Sequence, residues 1–138
     1  MEPTPAAAPP PPSAAALAII RLALLLGVLA FGAATTYIVN RGEWRPPRAD
    51  SLNTLRTVGI VLWVLAIVGV AFLRFRGTRI ARRAGAAAPS IIGWAIGEAI
   101  ALFGGVHYFL TAQPAWYLNG VLFLVATFVM FPIRRTGR

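Results

Sequence analysis

The 138-residue chain contains no cysteine, no lysine and one histidine, His107. Without cysteine there is no disulfide framework, thiolate metal site or cysteine nucleophile. With one histidine, a bis-histidine haem or a multi-histidine metal site cannot be built within one chain. Acidic residues are nearly as scarce: Glu2, Glu43, Asp50 and Glu98 stand against 13 arginines, a formal net charge of +9. Charged residues make up only 12% of the chain, about half the share in a soluble domain, while hydrophobic residues make up 58%. Mean hydropathy is +0.72. These proportions exclude an ordinary water-soluble fold. Nucleic-acid binding, which the charge alone would suggest, is also rejected, because the arginines lie between long apolar runs.

What is present is a Pro/Ala tail followed by those runs. Residues 1–16 include four consecutive prolines, Pro9 to Pro12, which cannot donate backbone hydrogen bonds and favour extended polyproline conformation. The tail is expected to be disordered. A proline-docking ligand is the competing reading, but no basic residue flanks the prolines. Four apolar spans follow, at about 17–39, 57–73, 90–110 and 115–133. Helices are the physical choice, because they satisfy every backbone polar group internally and the runs are continuous rather than alternating. The expected fold is therefore all-α: a polytopic membrane domain over 17–138, four transmembrane helices arranged as a four-helix bundle of two antiparallel hairpins. The short Thr111–Pro114 connection forces the third and fourth spans together, and the second helix is expected to extend past the membrane toward Arg83.

Arginine placement orients the chain. Arg74, Arg76, Arg79, Arg82 and Arg83, with Arg134, Arg135 and Arg138, lie on the side of the N-terminus. Arg41, Arg45, Arg48 and Arg56 lie opposite, offset by Glu43 and Asp50. The expected location is a bacterial inner (cytoplasmic) membrane with both termini cytoplasmic. Trp44, Trp116 and Tyr117 then fall near the outer interface. A cleaved signal peptide competes for the first span, since Arg21 precedes an apolar core ending in small residues.

Glu98 carries the most information. A carboxyl near the centre of a span faces protein or water rather than lipid. Around it, Gly93, Gly97, Ala101 and Gly105 recur every four residues, a small-residue pattern that permits close helix approach. The first span has its own small residues at Ala23, Gly27, Ala30 and Ala34. The first and third spans are therefore expected to pack through these stripes, with Arg21 pairing Glu98 as an intramembrane ion pair. The functional alternative makes Glu98 a proton or cation site. Glu98-Ala-Ile-Ala-Leu-Phe-Gly104-Gly-Val106 resembles the ion-binding helix of rotary ATPase proteolipid (c) subunits, which implies ion transport in an oligomer. The likeness covers this one segment, and the glutamate falls on the third span rather than on the second helix of a hairpin. The whole layout also resembles small four-helix bacterial membrane proteins, which implies a membrane location and no activity.

His107 lies nine residues from Glu98, on the opposite side of one helix, so the two form no dyad. It reads as a wetted or hydrogen-bonded histidine near the outer interface, with a haem or quinone ligand as the minor alternative. Thr35, Thr36, Tyr37, Gln113 and Asn119 fall at a similar depth, where they could line a shallow polar pocket with it. Arg76, Arg79, Arg82 and Arg83 form a basic stretch suited to anionic lipid headgroups. No nucleophile–base set, phosphate loop or carboxylate pair is present. The expected role is that of a non-catalytic structural or accessory subunit. No cofactor or metal is expected, and the expected partners are membrane lipids and other membrane proteins or copies of itself.

Overall fold

A computed structural model describes residues 12–41 and 49–133. They form four helices: α1 (Ala14–Asn40), α2 (Ala49–Ala84), α3 (Ala88–Thr111) and α4 (Ala115–Met130). Three contain stretches long and apolar enough to cross a membrane: Ala14–Asn40, Leu52–Ala84 and Ala88–Thr111. The fourth has 16 residues and reaches about 24 Å, short of the ~30 Å hydrocarbon core. This is an all-α fold in which three helices are long and apolar enough to span a membrane and the fourth is shorter. The Pro/Ala tail as far as Pro11, Glu43, Trp44, Arg45, Arg48, Arg134, Arg135, Arg138 and the side chain of Asp50 lie outside the described residues.

The boundaries follow local chemistry. The first helix begins at Ala14, three residues earlier than expected, because the Ser13 hydroxyl accepts from the Ala16 N–H at 3.1 Å and caps it. The second starts at Ala49 rather than Thr57, converting part of the expected polar loop into helix. It then runs past Leu73 to Ala84, as the expected extension toward Arg83 requires. Gly85, at φ 94°, ends it, the left-handed position that glycine occupies without steric penalty. Pro89 opens α3 in its first turn, where the missing N–H is harmless. Ala112 closes α3 in the left-handed region at φ 56°, its N–H donating to the Tyr108 carbonyl at 2.8 Å.

The packing corrects the expected pairing of hairpins. The third helix is central and carries α4, α2 and α1 on its sides, whereas α1 and α2 form no packed pair. Connection length explains this. Short turns at Gly85–Ala87 and Ala112–Pro114 bind α2, α3 and α4 into an up-down meander. The long segment between α1 and α2 leaves α1 free to dock on the far side of α3.

The α3–α4 contact is the tightest, and glycine makes it possible. A Cβ at Gly104 would fall 2.5 Å from the Trp116 carbonyl oxygen and 2.8 Å from the Tyr117 Cα. One at Gly120 would fall 2.7 Å from the Ala101 Cα. Both clashes are with backbone, which cannot swing aside. Trp94, Ala101, Val28 and Leu124 are fully buried in the resulting core. Outside it, Ile19, Leu22, Leu26 and Leu29 on α1, Val64, Leu65 and Val68 on α2, and Leu122 and Val129 on α4 are exposed. Such a girdle far exceeds the apolar patches of a soluble monomer and suits a lipid solvent.

Candidate functional site

Two polar clusters mark opposite ends of the molecule. At one end, the starts of α1 and α3 meet the end of α4. Arg21 is half-buried there, its guanidinium 4.5 Å from the Phe128 ring centroid and 5.9 Å from that of Trp94. Phe128 and Trp94 meet edge to face at 5.9 Å. The Trp94 indole N–H donates to the Phe131 carbonyl at 3.1 Å, holding the end of α4 against α3. A cation over an aromatic face is stabilised by the ring quadrupole, more so away from water. The aromatic pair is therefore a seat for a charge that a membrane span otherwise tolerates poorly.

Glu98 is half-buried one helical turn beyond Trp94 and two turns before Gly105, which faces Phe31 of α1. Among the described residues no ion pair reaches it, and Arg21 has its aromatic seat instead. The expected Arg21–Glu98 bridge is thus not formed in this arrangement.

The small residues around Glu98 are all buried, but they serve more than one neighbour. Gly93 faces Phe131, and Gly97 faces Thr127 and Leu124 on α4. Gly105 faces Phe31 on α1. Ala101 meets Gly120. The first helix does not answer with its own stripe: Ala23, Gly27, Ala30 and Ala34 are exposed, and nothing lies within 4 Å of a Cβ at Gly27. Its inner face is Leu17, Val28, Gly32 and Thr35. This corrects the expectation of stripe-on-stripe packing. A bulky aromatic, Phe31, fills the glycine notch on α3 more completely than alanine would. Gly32 in turn gives room to the Tyr117 ring, whose hydroxyl donates to the Val28 carbonyl at 3.0 Å. The four-residue spacing of small residues does not single out Gly32, Gly104 or Gly120. Only the close approach of a neighbouring chain singles them out.

At the other end His107 is buried and stacked on Trp116, with centroids 4.9 Å apart. The Thr111 hydroxyl donates to the His107 carbonyl at 2.8 Å and lies 3.2 Å from Nδ1. The Gln113 N–H caps the same hydroxyl at 3.2 Å. The expected polar pocket around His107 does not assemble. Thr35 is buried, while Thr36 turns its hydroxyl back to the Gly32 carbonyl at 2.8 Å. Tyr37 is exposed beside Arg41, and Asn119 lines a separate cleft between α2 and α4.

The basic stretch lies along the end of α2. Arg74, Arg76, Arg79, Arg82 and Arg83 are exposed, whereas Leu73 is buried and Gly77 packs against Pro89 at the start of α3. Among the described residues no group of three or more histidine, cysteine, aspartate or glutamate side chains converges. Comparison with protein-family models, curated proteins and solved structures finds no match to this chain.

Proposed function

We propose that the chain is a four-span protein of a bacterial inner membrane, with both termini cytoplasmic. It acts as a structural or accessory subunit that packs against other membrane proteins or copies of itself and performs no catalysis. The observation that carries this reading is the outward face of α1. Its small residues Ala23, Gly27, Ala30 and Ala34 stand exposed on a helix anchored along its opposite side. In lipid there is no hydrophobic drive for helices to associate, so close backbone approach through small residues is a principal source of affinity.

Arginine bias supports the orientation. For the fourth span, α4 lies along α3 through the Gly97, Gly104 and Gly120 contacts, and Phe131–Ile133 continues its apolar run. Isolation in mild detergent from native membranes tests the role: the chain is expected in a complex of defined composition, and recovery as a lone monomer contradicts it.

Transport is the second reading, favoured by Glu98 lying half-buried with no ion pair among the described residues. A carrier carboxylate reacts with a hydrophobic carbodiimide in a pH-dependent way, and Glu98→Gln then abolishes ion flux. A structural Glu98 shows neither effect, and its replacement alters assembly.

A further inference from the structure

The second and fourth helices splay apart on the surface of α3 and leave a cleft of about 670 Å³ open to the surroundings. Its walls are the Ile60, Trp63 and Ile67 face of α2 and the Trp116, Asn119 and Phe123 face of α4. Trp63 and Phe123 meet edge to face at 5.1 Å. The Trp116 ring, braced by His107, reaches Gly59 and closes the end nearest the α3–α4 turn. From Trp116 to Ala126 the cleft runs about 15 Å along α4, half the thickness of a bilayer core. It is therefore one leaflet long. A transmembrane helix of a second copy needs a groove of full bilayer length.

The headgroup end has a charge. Arg56 precedes Ile60 by four residues and Trp63 by seven, so it lies on the cleft-lining face one turn farther out. It is exposed, and among the described residues no side chain pairs with it. Nearby, the exposed Asn119 amide has no hydrogen-bond partner among the described residues either. An apolar slot of leaflet length with a guanidinium above it and an amide at its upper wall complements an anionic phospholipid. We infer that this cleft binds one acyl chain of such a lipid, with its phosphate on Arg56. The site lies at the opposite end of the molecule from the basic stretch of α2, and it rests on the membrane-spanning reading.

The full chain carrying Trp44→Phe is reconstituted into phosphatidylcholine vesicles, and flotation first establishes insertion. Part of the lipid is then replaced by acyl-brominated phosphatidylglycerol or acyl-brominated phosphatidylcholine, and tryptophan fluorescence is read. Trp63 and Trp116 line the cleft, while Trp94 is fully buried and supplies the unquenched remainder. The expected result is quenching by the anionic lipid at about fivefold lower mole fraction, the preference one arginine at a membrane surface supplies. Arg56→Gln should abolish that preference, whereas Arg41→Gln, at the end of α1 and away from the cleft, should keep it. Equal quenching by both lipids, or equal loss in both variants, overturns the site. Absence of quenching by either lipid, with the chain recovered as a dimer, assigns the cleft to a second copy and also overturns it. A chain that does not float overturns the membrane reading itself.

Discussion

Glycines in this protein divide by what lies opposite them. At Gly104 and Gly120 the neighbour is backbone; at Gly27 it is empty space. Gly120→Val is therefore expected to destabilise the detergent-solubilised protein by about 1–3 kcal/mol through overpacking. Gly27→Val should stay within about 0.5 kcal/mol in the monomer. Denaturant titration followed by tryptophan fluorescence distinguishes them, and equal losses would contradict the placement of α4. Arg21 gives a second prediction. Its guanidinium over Phe128 should show a coupling of about 0.5–2 kcal/mol in a cycle of Arg21→Gln and Phe128→Leu. Simple additivity would show that the stack contributes nothing. At this scale the sequence marks Glu98 and Arg21 as charged residues within apolar spans. It did not disclose Arg21's seat, because Trp94 and Phe128 lie on different helices and meet only in three dimensions.

Among the helices, α3 was readable in advance because its polar residue and small-residue spacing occur within one continuous apolar run. The central position of α3 was not. Periodicity reports that a helix has a packing face, but several partners can occupy a face made of glycine and alanine, and α4, α1 and α2 all pack on α3. The small residues of α1 satisfied the same spacing rule and nevertheless face outward, since Phe31 and Val28 already fill the inner side. Connection lengths were the better guide: the Thr111–Pro114 turn enforced the hairpin that the structure contains. Topology of the shorter α4 can be tested on the cysteine-free chain with single cysteines and a membrane-impermeant maleimide. Arg82→Cys and Arg138→Cys should label from one side and Gln113→Cys from the other. Labelling of Arg138→Cys together with Gln113→Cys would mean that α4 does not cross.

As a whole, the described residues form an inner seam held by close glycine contacts and an outer surface dominated by apolar side chains, with exposed arginines toward the helix ends. Composition foretold the apolar surface, since 58% hydrophobic residues cannot be hidden in a chain of 138. It could not foretell which part of that surface meets lipid and which meets protein, because both are apolar. Only the size of the side chains separates them, large on α2 and α4 and small along Ala23, Gly27, Ala30 and Ala34 of α1. The claim that this stripe is an assembly face is tested most directly by photocrosslinking in native membranes. A benzophenone maleimide is placed on Ala30→Cys and, for comparison, on Val125→Cys of the exposed α4 surface. A discrete higher-mass adduct, with a second copy or one other membrane protein, is expected from Ala30→Cys alone. An uncrosslinked monomer from Ala30→Cys, or the same adducts from both positions, would contradict it.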